Sequence, residues 1–519
     1  MNSMVFSRRL QAVVLPLLCI AIFVSHLLYV SKSRQYPQWD EHNYLSLAIK
    51  YFDLLRVPAL DTYPKMLAAT GYLQPLYSLA IALLLLVFGT DHTYTIGLLL
   101  NGLFFGATII GTYRLACKIF DNMTGIIAAI VFAGLGNALF YSHFSYTETA
   151  VTASIVWSLV YLAQSDGFTR RRETIIAGLL VSVAALTRWI AFVGVAGPVI
   201  VLAISAIGRM IQKPKSRKMI IVNLSLFGIL AIGVPVVLYF APNWSEFISY
   251  VQRNQQQAAT WVAQYRFAEM VNTFSTRSVM YYFNILSQNT VYIFLVFILG
   301  VFVCLKNFRK TVFLLAAFIV PYIFLTFVAV WKEDRFLVPL YPVFAVIVAS
   351  VVYAVRNKGS KITLTSVLIA ISILNFLGSS WGIGPMGKRG LTDLVLPSYI
   401  HHPRRIYLTP LVWPPTKEYL NAHLIAQAIR ESSLEKKMPV VLTAFTSEPL
   451  DNALQSIVWY QDRFLMQYKK LPFDIRDADF VITKSNDMHV EGMEQFVSIV
   501  NIPIPMDNST VTVYKHEKK

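Results

Sequence analysis

Apolar and polar positions follow one another in long blocks along this chain. Apolar runs occupy Leu10 to Val30 and the stretches near 94–113, 123–141, 149–163, 174–207, 219–240, 284–305, 311–330, 337–355 and 362–381. One membrane crossing takes about 20 apolar residues to cover a hydrocarbon core roughly 30 Å thick, so these runs predict transmembrane helices. The run 174–207 is too long for one crossing without strong tilt. Arg188 interrupts it, which predicts a hairpin of two spans with Arg188 near the turn. The first run follows Arg8 and Arg9 and lacks a small-residue cleavage site, so it reads as a retained first span.

The segment Tyr72 to Gly89 is apolar but short, and it carries Pro75. Basic clusters decide how it is read. Treated as a juxtamembrane helix rather than a crossing, it leaves all the main basic clusters on one side: Arg8 and Arg9, Arg114 and Lys118, Arg170 to Arg172, Arg209 to Lys218, Lys306 to Lys310, and Arg356 to Lys361. Cytoplasmic loops are the ones rich in Lys and Arg. The expectation is therefore about eleven spans with a cytoplasmic N-terminus. A first loop over 31–92, a short loop over 142–148, the Arg188 turn, a polar loop over 241–283, the turn Trp331 to Phe336 and everything beyond Trp381 then lie outside.

After Trp381 the pattern changes. Prolines at 397, 403, 410, 414 and 415 mark a connection, Tyr419 to Glu431 has helical periodicity, and PVVLTAF (439–445), DFVITK (479–484) and TVTVYK (510–515) read as strands. The expected architecture is an α-helical polytopic membrane module over 1–381 followed by a small extracytoplasmic α/β domain over 382–519.

Composition narrows the class further. Of 519 residues 56% are hydrophobic and 14% charged, and the mean hydropathy is +0.54. Soluble domains carry about 25% charged residues, so an ordinary soluble or disordered chain is excluded. The formal charge of +17 arises from basic residues in short clusters between apolar runs, which points to membrane orientation and away from nucleic acid. Cys19, Cys117 and Cys304 lie in or beside apolar runs and show no metal-ligand spacing.

Polar residues of chemical interest gather on the expected outer side. Trp39-Asp40-Glu41-His42-Asn43-Tyr44 places two adjacent carboxylates beside the first span, suited to general-base chemistry or simply to opening the helix that follows. Asp61 and Lys65 precede Gln74-Pro75-Leu76-Tyr77, and this pair could equally be a surface ion pair. Glu148 in Tyr146-Thr147-Glu148 opens a span, where a carboxylate also suits the helix dipole. Arg188 could snorkel to the interface. Arg335, in Lys332-Glu333-Asp334-Arg335, could bind a phosphate bidentately or join a surface salt-bridge cluster. Carboxylates and guanidinium groups on one membrane face are what a reaction between a lipid-linked phosphate ester and a polar acceptor requires. A multi-span transporter or flippase of a lipid-linked or anionic solute is the competing class, but it would place charges near the bilayer midplane.

The order of these features resembles the GT-C class of integral-membrane glycosyltransferases, the relatives of protein O-mannosyltransferases and aminoarabinose transferases that use polyprenyl-phosphate sugars. Trp39 to Tyr44 matches the first-loop acidic motif, Gly71 to Tyr77 (GYLQPLY) the juxtamembrane helix, and Ser145 to Glu148 (SYTE) the second-loop acidic site. Gly178 to Trp189 and Asp334 to Pro342 match two later signatures, and the set spans roughly residues 1–380. The paired prolines common before Gln74-Pro75 are missing. The resemblance implies Asp40 as base toward the acceptor, assisted by Glu41, with inversion by direct displacement. It also implies Arg335, Arg188 and Lys65 as holders of the donor phosphate, and Tyr77 and Glu148 as shapers of the substrate site. The implied partners are a polyprenyl-phosphate-linked sugar, a lipid, glycan or protein acceptor and membrane lipids, at the outer face of the cytoplasmic membrane. No metal-ligand set stands out, and a divalent cation is left open.

The topology carries its own check. A cysteine placed near Asp91 should react with a membrane-impermeant reagent from outside the cell, and labelling only from the cytoplasm would overturn the eleven-span arrangement.

Overall fold

A computed structural model describes residues 2–33, 40–90, 92–265, 276–289, 291–329, 332–383, 393–396, 404–407, 422–432, 440–443, 467–470, 478–484, 493–504 and 509–517. Trp39, Trp331 and the proline-marked connection after 396 lie outside these residues. The helices of the first half are α1 (Asn2–Lys32), α2 (Asp40–Arg56), α3 (Thr62–Thr70), α4 (Pro75–Phe88), α5 (Thr93–Ile119), α6 (Asn122–Ala133), α7 (Gly136–Ser142), α8 (Thr147–Gln164) and α9 (Arg171–Thr187). They continue with α10 (Ala191–Gln212), α11 (Arg217–Gly228), α12 (Trp244–Tyr265), α13 (Thr276–Asn289), α14 (Val291–Lys306), α15 (Phe308–Phe327), α16 (Tyr341–Ala354), α17 (Lys358–Trp381) and α18 (Ala422–Ser432). The strands are β1 (Asp393–Leu396), β2 (Arg404–Tyr407), β3 (Val440–Thr443), β4 (Gln467–Lys470), β5 (Phe480–Lys484), β6 (Phe496–Ile504) and β7 (Ser509–His516).

Two compact units divide the chain. The first comprises Met1–Tyr29, Ala59–Tyr77 and Leu99–Pro414; the second comprises Val30–Pro58, Ser78–Leu98 and Pro415–Lys519.

Among the described residues each of the eleven expected spans falls on a helix or a bent pair of helices. Among the described residues seven helices are long and apolar enough to cross a membrane, and nine result if each of two bent pairs is one span. One pair is α6 with α7, bent by 63°; the other joins parts of α13 and α14. The two helices left over from eleven are α8 and α9, of 18 and 17 residues. Helix α8 opens on Thr147-Glu148-Thr149 and is buried along almost its whole length, so it need not be apolar toward lipid. Its hydroxyls satisfy themselves internally, Thr152 donating to the Glu148 carbonyl at 2.6 Å and Ser158 to that of Ser154 at 2.7 Å. Helix α4 has 14 residues, about 21 Å at 1.5 Å per residue, which is too short for a crossing.

The long run 174–207 does break where a charge interrupts it. Helix α9 ends at Thr187, Arg188 takes an extended conformation (φ −160°, ψ 123°), and α10 starts at Ala191. The stretch 241–283, read from sequence as a loop, instead contains α12. Trp244, Phe247, Ile248 and Val251 recur there at helical spacing, and Phe247 packs edge-on against Phe240 with ring centroids 5.4 Å apart.

Close helix approach depends on glycines. A Cβ at Gly197 of α10 would run into the Ala316 carbonyl of α15, and one at Gly300 of α14 into that of Ile347 in α16. Small residues let membrane helices approach backbone to backbone, where dispersion and packing replace the missing hydrophobic drive.

In the second unit the sheet order is β4-β3-β5-β7-β6. Strand β3 runs parallel to β4 and β5, and β7 runs antiparallel to β5 and β6, with Val441 opposite Phe480 and Val481 opposite Tyr514. Alternate residues Val511 and Val513 are fully buried, as are Ile425 and Ile429 at i, i+4 on α18. The three strands and the helix expected from the sequence are present, in a mixed α/β arrangement. Strands β4 (QYKK) and β6, which contains Pro503, lacked a strand signal because one is polar and the other carries a residue unable to donate to the ladder.

Gly197→Leu and Gly300→Leu should each lower stability by about 1–3 kcal/mol through overpacking. Gly208→Leu, in open space on α10, should not. Thermal unfolding of the detergent-solubilised protein tests the contrast.

Candidate functional site

Three of the residues singled out by sequence meet in the first unit. Glu148 lies in the first turn of α8, where the helix N-terminus favours a carboxylate. Arg188 is the residue that ends α9, where the C-terminus favours a cation. Arg335 sits in a short 3₁₀ helix, Asp334–Leu340, ahead of α16. Arg188 Nη1 donates to Glu148 Oε1 in a close ion pair, and Arg335 Nε lies 3.6 Å from the same oxygen. Glu148 is 1% exposed, against 14% for Arg188 and 15% for Arg335. The carboxylate is thus sealed in, while both arginine side chains stay partly exposed.

Neighbouring residues fix the two cations. Arg188 Nη1 is 3.4 Å from Thr147 Oγ1. The guanidinium carbons of Arg188 and Arg335 stand 5.1 and 5.9 Å from the Phe336 ring centroid, and Arg335 also lies 5.6 Å from that of Tyr146. Stacking on aromatic faces suits the weakly hydrated guanidinium. Glu333, in extended conformation before the 3₁₀ helix, forms a second close ion pair with Arg335 Nε. Asp334 turns elsewhere and accepts a 2.6 Å hydrogen bond from the Tyr141 hydroxyl.

The loop that delivers Glu148 is pinned from three directions. Asn101 of α5 is buried and its Nδ2 donates to the carbonyls of Phe144 and Tyr146, the latter at 2.9 Å. Tyr77 is buried with its hydroxyl 3.0 Å from Ser145 Oγ. The His143 ring stacks on Tyr29 at 3.7 Å between centroids. On the other side, Lys332 is buried and caps the end of α15, donating to the carbonyls of Leu325 at 3.0 Å and Thr326 at 2.5 Å. Burial lowers its ammonium to about 8, which leaves it charged at neutral pH.

The remaining candidates lie on α2 and α3. Lys65 pairs with Asp61 at 2.8 Å one helical turn away, both 57% exposed, and the Lys65 ammonium holds the Asp61 carboxyl below its usual range. Asp40 and Glu41 belong to the second unit, in the first turn of α2, where Asp40 is half-buried and Glu41 fully buried. Burial pushes the adjacent His42 imidazole down to about 4, so it is neutral at physiological pH. In that unit the Ser78 hydroxyl donates to the Tyr44 carbonyl at 2.9 Å. Among the described residues no group of three or more His, Cys, Asp or Glu is placed to hold a metal ion.

No protein-family model matches the sequence, and no curated protein matches it either. Solved structures do. ArnT from Cupriavidus metallidurans in the apo state superposes with a TM-score of 0.58 at 11% identity, covering 96% of this chain and 97% of that one. The chain has the GT-C fold. The same ArnT bound to undecaprenyl phosphate gives a TM-score of 0.55 at 10% identity with the same coverage. The archaeal oligosaccharyltransferase AglB from Archaeoglobus fulgidus, in complex with an inhibitory peptide and a dolichol-phosphate, gives 0.52 at 11% identity over 90% of this chain and 69% of that one. At these identities the likeness is one of fold, and the multi-pass membrane character agrees with the apolar helices.

Sequence reasoning singled out Arg335 but not Glu333, although both stand in one charged cluster. Asn101 and Tyr141 gave no signal, since an asparagine within an apolar run and a tyrosine near a helix end are both common.

Removing the shared carboxylate should be costly. Glu148→Ala removes the buried partner of the Arg188 ion pair, a change that typically costs about 3–5 kcal/mol. The melting temperature in detergent should drop, while Lys65→Ala, at an exposed pair, should leave it unchanged.

Proposed function

We propose that the chain is an integral-membrane glycosyltransferase moving a sugar from a polyprenyl-phosphate-linked donor to a lipid, glycan or protein acceptor at the outer face of the cytoplasmic membrane. The observation that carries this reading is the convergence of two partly exposed arginines, Arg188 and Arg335, on the buried Glu148 in a GT-C fold. A structural neighbour, ArnT, is bound to undecaprenyl phosphate, which supports a lipid phosphate as the anion.

The proposed chemistry is a single displacement. The acceptor hydroxyl or amine attacks the anomeric carbon as its proton passes to the Asp40 carboxylate, and the bond from that carbon to the phosphate oxygen breaks. The electron pair departs with the phosphate, whose growing negative charge Arg188 and Arg335 stabilise bidentately. Backside attack inverts the anomeric centre. Glu41 assists Asp40, Glu148 orients the two arginines, and Lys65 and Tyr77 complete the proposed substrate-binding set. The extracytoplasmic domain over 382–519 belongs to the same proposal.

Asp40→Asn removes the proton acceptor while keeping the shape of the side chain. Transfer of labelled sugar from a polyprenyl-phosphate donor should fall about 10²–10⁴-fold at unchanged protein level, the usual worth of a general base. Full transfer by that variant would remove Asp40 from the role. Uptake of solute into vesicles without a covalent sugar product would favour a transporter instead.

A further inference from the structure

Among the described residues, each arginine of the site faces a carboxylate. Arg188 and Arg335 carry two positive charges, and Glu148 and Glu333 return two negative ones. Lys332 and Asp334 add one charge of each sign, the first hydrogen-bonded to backbone carbonyls and the second to the Tyr141 hydroxyl. Adding a phosphate to this arrangement would leave a net negative charge in a region of low dielectric, where uncompensated charge is expensive. An anion can enter without adding to the negative charge on the arginines if one carboxylate gives up its place there.

The two carboxylates are not equivalent as leaving partners. Glu148 is 1% exposed and held within a buried helix turn, so withdrawing it would strand a buried charge. Glu333 is 27% exposed and lies on an extended segment outside any α-helix (φ −135°, ψ 148°), so its carboxylate already reaches water and loses less solvation than Glu148 would. Arg335 also keeps its ring contacts with Tyr146 and Phe336 when Glu333 leaves, so the guanidinium stays aimed.

Resting on the proposed phosphate-binding reading, we propose that Glu333 is a displaceable counterion that competes with the donor's phosphate for Arg335, making phosphate binding an exchange of one anion for another. Glu148 is the permanent counterion of the pair. Glu333 thereby acts as a specificity-determining residue, since an uncharged lipid gains nothing by displacing it.

The test is a binding titration of the full chain in detergent micelles with a polyprenyl phosphate, and in parallel with the uncharged polyprenol. Glu333→Gln and Glu333→Ala should each tighten binding of the phosphate about fivefold, the worth of one partly exposed ion pair, and leave polyprenol unchanged. A role for Glu333 in packing alone would weaken binding or leave it unmoved. Arg335→Gln should weaken phosphate binding. If Arg335→Gln weakens it but neither Glu333 variant tightens it, the exchange is wrong while the phosphate site stands. If the Glu333 variants tighten polyprenol equally, the exchange is also wrong. If Arg335→Gln has no effect, the phosphate-binding reading and the exchange fall together.

Discussion

Burial of one carboxylate organises the candidate site. Glu148 is sealed from solvent, and a lone carboxylate there would be strongly unfavourable, so two guanidinium groups from distant parts of the sequence are drawn to it. Helix ends make the arrangement cheaper than three isolated charges would be. The start of α8 supplies partial positive charge around Glu148, and the end of α9 supplies partial negative charge around Arg188. Because α8 and α9 pack along one another, these two ends come together as a consequence of the hairpin. Arg335 then reaches the same oxygen only because its 3₁₀ helix packs on α8 and is tied by Asp334 to Tyr141.

This dependence explains why so much polar structure is invested behind the charges. The loop over 143–146 is buried throughout, so its carbonyls need partners within the protein. Asn101 satisfies two of them, and Tyr77 bonds the Ser145 hydroxyl. The cost of a polar asparagine within an apolar span is offset by its hydrogen bonds to these carbonyls. Lys332 does the same for the end of α15.

The sequence made the crossings legible because hydrophobic blocks of about 20 residues have few other uses. It also made the break at Arg188 legible, since a charge between two apolar runs must find either an interface or a partner. What block hydropathy cannot display is a helix such as α8, whose polar residues are tolerated because protein and not lipid surrounds it, or α12, whose amphipathic stripe is diluted by a run of glutamines. At the site, the charged residues stood out individually, but their pairing did not. Lys65 and Arg335 look alike in sequence, each a cation near an acidic residue; one resolves into an exposed i, i+4 pair and the other into a junction of two carboxylates and two rings.

The same distinction bears on how a fold persists at 10–11% identity to ArnT. Helix length and the placement of breaks depend on where apolar blocks start and stop, and many sequences satisfy that requirement. Glycines at close approaches, such as Gly197 against Ala316 and Gly300 against Ile347, are stricter but few. A cluster of charges at helix ends is stricter still, because each member is tolerable only while the others are in place. The chemistry of such a protein therefore rests on a small, mutually dependent set of residues, carried by a scaffold that constrains the identity of most of its own residues only loosely.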